Sequence, residues 1–513
     1  MRPDHVLGAR PRLLISAAHK SSGKTTFSTG LATALRRRGL TVQTFKKGPD
    51  YIDPLWLERA SGRPCYNLDF NTQTPQEIEA TIVSHAVGAD FELIEGNKGL
   101  HDGVDLEGRD SSAALAKLVG APVVLVLDAS GMTRGIAPLV MGYQVFDRQV
   151  DIRGIVLNRV ATARQEEKLR QALERYTDLK VLGVVGRSAD LTVVERHLGL
   201  TTPQETAGVD AVIAHLGETI AAGVDLDTLI DLAATPAHGH RPTVAPIVVE
   251  TRPTPRIEEP VTIGVVRDEA FCFYYRDDLE ALERAGARLE FFSALTTPRL
   301  PKLDGLFIGG GFPESHIAAL AANVGLRHDI ARASAEGLPI YAECGGLMYL
   351  ARSIAWNGEV GEMVGVVPGD AVVRDRPQGR GLVVIEETDA MPWAPPIGAG
   401  AGPVRVRAHE FHYARIENLA PGCRFAYRVV RGDGITGKDD GIVVANTLAS
   451  FTHLRDTDSA HWAERFVAFV RARARTSATA EHTDAAAAGS RAARGAGRAC
   501  GLAAAALWTR EDR

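Results

Sequence analysis

The chain has 513 residues, of which 45% are hydrophobic and 24% charged, and its formal net charge at pH 7 is −5. This composition excludes a fibrous or disordered chain, and the length predicts two or three domains, of which two is the working number. The net charge does not favour binding to nucleic acid, and the longest apolar runs are too short to cross a bilayer. The first residues lack an apolar signal sequence. We therefore expect a cytoplasmic protein without a nucleic-acid or membrane partner.

The first half of the chain, from residue 12 to about residue 232, alternates apolar β-branched runs with helix-like segments. Strands are predicted over residues 12–16, 41–45, 91–95, 122–128, 152–158 and 181–185, and a helix over residues 25–38. This alternation predicts an α/β domain with a mostly parallel sheet, in which ligands gather at the carboxyl ends of the strands.

A linker and a second α/β domain follow. Residues 233–256 are rich in Pro, Thr, Ala and His without a helical period, which indicates a linker. The second domain is predicted over residues 257–473 and begins with a strand at about residue 261. Residues 474–513 are dominated by Ala, Arg, Gly and Ser, so we expect a disordered tail there and assign it no function.

The first strand leads into a phosphate-binding pattern. Residues 18–26 read AHKSSGKTT, a Walker A sequence with Ala18 in place of the first glycine. Backbone N–H groups and the N-terminus of the next helix would hold phosphate oxygens, Lys24 would reach the terminal phosphates, and the Thr25 hydroxyl would bind Mg²⁺. The alternative is a chance Gly-Lys-Thr in a helix cap, but the predicted strand and helix on either side favour the phosphate site.

Two further loops at strand ends carry charge. Residues 45–54 read FKKGPDYIDP and residues 95–103 read EGNKGLHDG. Lysines beside carboxylates suit a site that handles phosphate, metal and an anionic substrate, although a charged surface turn remains the alternative. Glu95 is the candidate for holding Mg²⁺ or its waters, with Asp50 as partner. Asn158 ends a later strand and is placed either to bond an adenine edge or to cap the following turn.

The second domain contains a candidate nucleophile. Residues 341–348 read YAECGGLM, which predicts a strand, a sharp turn and a helix with Cys344 at the corner. A thiol at a helix N-terminus beside a base is expected to have a lowered pKa and to act as a nucleophile, whereas the alternative is a buried structural cysteine. The chain has five cysteines without CxxC spacing, so neither a disulfide framework nor a zinc site is indicated: Cys65, Cys272, Cys344, Cys423 and Cys500.

Partners for this cysteine lie on both sides of it in the sequence. Gly309 and Gly310 end a predicted strand, and their N–H groups are candidates for stabilising an oxyanion. Downstream, His409, His412 and His453 are candidates for the base, and spacing alone does not choose among them.

Taken together, these motifs resemble the cobyrinic acid a,c-diamide synthases of vitamin B12 biosynthesis, over residues 12–472. The resemblance implies a dethiobiotin-synthetase-like, P-loop ATP domain followed by a class I glutamine amidotransferase domain. It implies that Cys344 takes the γ-glutamyl group and that His453 activates it. It implies that ATP is bound by Ser22, Gly23, Lys24, Thr25, Thr26, Lys46 and Asn158. It implies that the metal is bound by Thr25, Asp50 and Glu95. It implies that the substrate is bound by Tyr51, Ile52 and Asp102.

The implied reaction uses ATP as co-substrate with Mg²⁺, L-glutamine as nitrogen donor and a tetrapyrrole polycarboxylate as acceptor. ATP phosphorylates a carboxylate, and ammonia released at Cys344 crosses between the domains and displaces phosphate. The loop residues Asn97, Lys98 and His101 depart from the family pattern, so amidation of sirohaem is an alternative to cobyrinate. A ParA or MinD-like ATPase switch is a further alternative, and a homodimer is left open.

Overall fold

The computed structural model describes residues 10–188, 195–196, 199–235, 237, 260–396 and 402–476. The predicted linker and tail lie outside the described residues, apart from residues 233–235 and 237 and residues 474–476. Within the described residues no helix is long and apolar enough to cross a membrane.

The first unit alternates strands with helices, as predicted. Its elements are β1 (Arg12–Ala17), α1 (Lys24–Arg37), β2 (Val42–Lys47), α2 (Ile52–Ser61), β3 (Tyr66–Leu68), α3 (Pro75–His85), β4 (Phe91–Glu95), α4 (Ser112–Val119), β5 (Val123–Asp128), α5 (Ile136–Phe146), β6 (Ile152–Val160), α6 (Ala163–Tyr176), β7 (Lys180–Gly186), β8 (Glu195–Arg196), β9 (Gly199–Leu200), α7 (Val209–Gly223) and α8 (Leu226–Ala234).

A parallel sheet in the order β3-β2-β4-β1-β5-β6-β7 forms the centre of this unit. Its central strands are buried on both faces, because helices cover each side of the sheet and pack with it into two apolar clusters, one on each face. In this register Glu95 at the end of β4 lies beside Ile15 of β1 and Lys46 of β2. The polar residues that follow these strands are therefore gathered at one edge of the sheet.

The second unit combines parallel and antiparallel strands. Its elements are β10 (Val261–Val266), β11 (Phe271–Phe273), α9 (Arg276–Arg284), β12 (Ala287–Phe292), β13 (Gly305–Ile308), β14 (Gly310–Gly311), α10 (Ile317–Ala322), α11 (Val324–Ala335), β15 (Ile340–Glu343), α12 (Gly345–Leu350), β16 (Ser353–Trp356), β17 (Glu359–Glu362), β18 (Asp370–Val373), β19 (Gly379–Glu387), β20 (Arg405–His412), β21 (Ala414–Glu417), β22 (Arg424–Arg431), β23 (Asp439–Val444), β24 (Thr447–Ser450) and a helical segment over residues 462–476.

Its main sheet has the order β12-β10-β13-β15-β24-β23-β22-β19-β20, parallel from β12 to β24 and antiparallel beyond. Strands β15 and β24 are parallel neighbours, and Glu343 at the end of β15 is paired with Ser450 at the end of β24. Cys344 and His453, which follow these two strands, are therefore delivered to the same edge of the sheet. The predicted α/β fold class is confirmed for both units.

The two units contact each other through α2, the edge strand β3 and the segment that follows β3. Cys272, Phe273 and Phe312 of the second unit join the apolar cluster that contains α2. Polar contacts flank this apolar core: the Tyr66 hydroxyl donates to Glu280 Oε1 over 2.8 Å. The contact surface is thus continuous with the core of the first unit.

Candidate active site

The phosphate-binding loop has the backbone shape that the sequence predicts. Gly23 adopts a left-handed conformation with φ of 88° immediately before α1, and a Cβ there would lie 2.2 Å from Asn158 Nδ2. That amide nitrogen donates to the Ser22 carbonyl over 2.9 Å, and Asn158 Oδ1 accepts from the Arg159 N–H. Asn158 therefore braces the loop from the end of β6, which is a contact different from the expected adenine edge.

The first turn of α1 carries the candidate phosphate ligands. Lys24 is buried, and its Nζ donates to the His19 carbonyl over 3.5 Å. Burial, followed by the charge of Lys46, lowers the pKa of Lys24 to about 8. Thr25 and Thr26 are half-buried on the same turn. A buried lysine with so few partners is a ready contact for an anion.

A buried network of charges lies beside this turn. Lys46 Nζ donates to Asp53 Oδ2 over 2.5 Å and to Glu95 Oε1 over 2.6 Å, and the Thr25 hydroxyl donates to the same Glu95 oxygen over 2.8 Å. The two carboxylates hold the pKa of Lys46 above its usual range despite burial, and Lys46 lowers the pKa of Asp53. Asp53 belongs to the charged loop predicted at residues 45–54, in which only Asp50 was singled out as a metal ligand; it lies three residues after Asp50, on the first turn of α2.

Glu95 has one oxygen without a protein partner. Its Oε2 is fully buried and accepts no hydrogen bond, and burial raises the pKa of this carboxyl. Buried carboxylate oxygens are normally paired, so this one calls for an added proton, a water or a cation. Among the described residues no three His, Cys, Asp or Glu side chains are grouped as metal ligands.

Asp50 occupies a different position from its partner Glu95. Its Oδ1 accepts from the N–H groups of Ile52 and Asp53, both over 3.0 Å, and thereby caps the start of α2. Burial and the neighbouring Asp53 raise the pKa of Asp50 to about 7. Asn67 on β3 holds the Asp50 backbone by two hydrogen bonds.

The expected substrate residues are dispersed. Ile52 packs in the apolar cluster of the first unit and is 7% exposed, so the structure does not present its side chain at a surface. Asp102 is exposed, and its Oδ2 accepts from the Gly99 N–H. The unusual His101 lies against Tyr143 and Phe146, with ring centroids 5.5 and 4.8 Å away.

Cys344 lies at a strained corner between β15 and α12. Its φ of 49° is rare for a residue with a side chain and is typical of functional sites. The side chain is 6% exposed, and burial raises the pKa of the thiol, opposite to the lowering expected from a helix N-terminus. Burial removes the water that would stabilise a thiolate, and α12, with only six residues, is a short helix.

Among the three candidate histidines, His453 has the contacts of a catalytic base. Its Nδ1 lies 3.3 Å from Glu343 Oε2, and both side chains are buried. His412 instead stacks on Phe451, with its Nδ1 2.8 Å from a backbone carbonyl. His409 stacks on His453 at 5.1 Å, and burial lowers the pKa of His409 well below its usual value.

Glu343 was missed in the sequence. It directly precedes Cys344, and its Oε1 accepts from the Leu454 N–H over 2.9 Å while Oε2 faces His453. The carboxylate therefore fixes the backbone after His453 and the tautomer of its ring. Nothing in the spacing of these residues indicates that pairing, because they are 110 residues apart.

The glycine residues before the elbow divide into two groups. The Gly309 N–H donates to the Tyr274 hydroxyl over 2.8 Å, so this expected oxyanion donor is already engaged within the protein. A Cβ on Gly310 would lie 2.7 Å from His453 Cε1, and one on Gly345 would lie 3.0 Å from the Gly311 backbone nitrogen. Gly310 and Gly311 are thus the strand residues that closely approach the corner at Cys344 and the His453 ring.

Tyr51 links the two half-sites. It directly follows Asp50 in the first unit, yet its ring centroid lies 5.2 Å from that of His453 and 4.6 Å from that of Tyr275 in the second. Its ring also stacks on Phe273 at 5.2 Å. The loop that carries the charged residues of the first unit is therefore in contact with the histidine of the second.

Comparison with known proteins agrees with this arrangement. A family model described as the CobQ/CobB/MinD/ParA nucleotide binding domain matches residues 14–200, and one described as the CobB/CobQ-like glutamine amidotransferase domain matches residues 262–459. The fold and the site therefore define a P-loop nucleotide-binding domain joined to a glutamine amidotransferase.

Relatives that align over most of their length narrow the class further. The chain is 46% identical to the cobyrinate a,c-diamide synthase of Magnetococcus marinus over 463 residues, which cover 90% of this chain and 98% of that protein. It is 39% identical to the protein of the same name from Methanosarcina acetivorans, over 87% of this chain and 93% of that protein. The chain belongs to the cobyrinate a,c-diamide synthase family, as the motifs in its sequence predicted.

Proposed function

We propose that this protein is an ATP- and glutamine-dependent ligase that converts the a and c carboxylates of cobyrinic acid into carboxamides. The observation that carries the proposal is the segment from Asp50 to Asp53, which contacts both half-sites. Asp53 pairs with Lys46 beside the phosphate-binding loop, and the Tyr51 ring lies against His453. Because one loop contacts both half-sites, ammonia made at the second would pass to a carboxylate activated at the first. The name shared by the relatives supports cobyrinate as the acceptor.

In the first half-reaction, an oxygen of a substrate carboxylate attacks the γ-phosphorus of ATP and ADP leaves. The product is an acyl phosphate, and catalysis of such a transfer is mainly positioning and charge neutralisation. Lys24 contacts the terminal phosphates, and its lowered pKa reflects a buried cation that an anion would stabilise. Lys46 supplies a second positive charge at the reacting end.

A Mg²⁺ ion fits the oxygens next to these lysines. Thr25 and Glu95 would hold it, since the unpartnered Glu95 Oε2 is a free oxygen ligand and the Thr25 hydroxyl is adjacent to it. Asp50 and Asp53 would bind its waters, since Mg²⁺ in such sites is held by one or two carboxylates together with phosphates and water. When bound, it supplies charge neutralisation on the phosphate oxygens.

In the second half-reaction, His453 accepts the thiol proton of Cys344, and the sulfur attacks the amide carbon of glutamine. Glu343 stabilises the imidazolium that results. The imidazolium returns its proton to the departing nitrogen, so ammonia leaves and a γ-glutamyl thioester remains, which water hydrolyses to glutamate. The ammonia nitrogen attacks the acyl phosphate carbon, and phosphate departs.

Mass spectrometry tests the proposal directly. The purified protein is incubated with ATP, Mg²⁺ and glutamine that carries heavy nitrogen in its amide group, and with cobyrinic acid or sirohaem in parallel. We expect two labelled amide groups on cobyrinic acid. Labelled product from sirohaem alone would assign the protein to the sirohaem alternative. Label transfer to neither substrate would overturn the ligase proposal and favour an ATPase switch.

A further inference from the structure

Arg455, two residues after His453, connects the two units. The guanidinium is 1% exposed, and its Nη2 donates to the Asn67 carbonyl of β3 over 2.6 Å. Nη2 and Nε also donate to Asp277 Oδ2 over 2.7 and 3.2 Å. The segment that carries His453 is thus attached, through one side chain, to an edge strand of the nucleotide-binding unit.

Asn67 continues this connection to the charged loop. Its Oδ1 accepts from the Asp50 N–H over 3.0 Å, and its Nδ2 donates to the Asp50 carbonyl over 2.9 Å. The fit is tight, because a Cβ on Gly48 would lie 2.5 Å from Asn67 Oδ1. Asp50 in turn caps the helix whose first turn carries Asp53, the partner of Lys46. Every step between His453 and Lys46 is therefore a covalent bond or a hydrogen bond.

The ion pair of Arg455 and Asp277 includes two polar atoms without hydrogen-bond partners. Arg455 Nη1 and Asp277 Oδ1 are both buried without a hydrogen-bond partner. A buried polar atom without a partner destabilises the folded protein, so an arrangement that gives these atoms partners would stabilise the ion pair. A change in the loop around Asp50 would therefore allow this ion pair a second arrangement in which these atoms have partners.

We propose that Arg455 couples the two half-sites, so that occupancy of the ATP and tetrapyrrole site sets the position of His453 and thereby the rate of glutamine hydrolysis. This rests on the proposed function and adds a regulatory contact to it. Arg455 touches none of the reacting atoms and is a positioning residue. Loss of the contact leaves both chemistries in place but separates their control, so glutamine is hydrolysed without an amide being formed.

The experiment measures glutamate released per amide formed, together with synthesis driven by ammonium. The variant combines Arg455→Met with Asp277→Asn, which avoids leaving a buried charge unpaired. The matched control combines Arg465→Met with Glu387→Gln, because Arg465 and Glu387 form a buried two-point ion pair of 2.7 and 2.8 Å within the second unit. We expect the ratio to rise at least about fivefold in the first variant, the lower end of typical coupling between sites. The control should match the wild type, and ammonium-driven synthesis should persist in both.

Arg455→Lys keeps a cation beside Asp277 but lacks the fork that also reaches Asn67, so it should give an intermediate ratio in a protein that folds. A ratio that stays at the wild-type value in both Arg455 variants would overturn the coupling role, as would an equal rise in the Arg465 control. Failure of the wild type to amidate any tetrapyrrole would refute the proposed function instead, and it is detected before any variant is made.

Discussion

Replacing Asp50 with asparagine removes a charge from the loop before α2 while keeping the oxygen that accepts from Ile52 and Asp53. Burial, followed by the charge of Asp53, raises the pKa of Asp50 from 3.8 to about 7. A carboxyl with a higher pKa in the folded chain than in the unfolded chain binds more protons when folded. Stability therefore falls as the pH rises between these two values, and the loss is complete above the folded pKa.

The size of the effect follows from the displacement of the pKa. About three units at 1.36 kcal/mol each give about 4 kcal/mol. The Asp50 side chain is only half-buried, so we halve this for solvent screening to about 2 kcal/mol. In a domain of about 200 residues that corresponds to about 4–8 °C in the midpoint of thermal unfolding. Asp50→Asn should be more stable than the wild type by this amount at about pH 8, and by much less near pH 4.

Calorimetry of both proteins across this pH range measures the gap. Asp90→Asn is a matched control, because Asp90 also accepts a backbone N–H, from Thr41, but lies exposed at the surface. This variant measures what an aspartate-to-asparagine change at a surface site does to the unfolding midpoint. We also expect Asp50→Asn to lose amide synthesis. The ionised Asp50 destabilises the folded chain, and residues of active sites commonly trade stability for activity. A gap for Asp50→Asn that is constant with pH, or largest in acid, would refute the reasoning.

Three further predictions concern the remaining site residues. Cys344→Ser should abolish synthesis with glutamine but not with ammonium, and equal loss with both donors in a product assay would contradict the division of labour. Glu343→Gln should lower the glutamine-driven rate by about 10²–10⁴-fold and spare the ammonium-driven rate, because the His453 imidazolium loses its counter-charge; an unchanged rate would remove Glu343 from this role. Because burial lowers the pKa of Lys24 to about 8 and phosphate would raise it, ATP binding near that pH should take up a proton. Calorimetry in buffers of different ionisation enthalpy measures this uptake, which Lys24→Ala should reduce; no uptake by the wild type would argue against a contact between Lys24 and phosphate.

The fold was predictable where the sequence is strongly patterned. The apolar run ending at Glu95 predicts β4 with the bounds that the structure has, and α1 begins one residue before its predicted start. The strand β3 was not predictable, because its three residues are too short to show a period. Its importance comes from tertiary contacts with the second unit, through Asn67 and Tyr66.

The candidate site divides in the same way. Short motifs indicate Glu95 and Cys344, each at the end of a predicted strand, and Lys24, which directly precedes a predicted helix. The contact of Arg455 with Asn67 joins residues 388 positions apart, and no local pattern carries such information. The motif also did not predict that the pKa of Cys344 is raised, because burial is a property of the folded chain.

Burial acts in one direction on three reactive groups. It favours the protonated thiol at Cys344, the neutral amine at Lys24 and the protonated carboxyl at Asp50. A neutral thiol is a poor nucleophile, and a neutral amine gives a phosphate no counter-charge. A phosphate at the first half-site would favour the ammonium form of Lys24, so this lysine is most fully charged when the anion is bound. A contact between the half-sites then needs only to change the placement of His453, because the Cys344 thiol cannot react until that base accepts its proton.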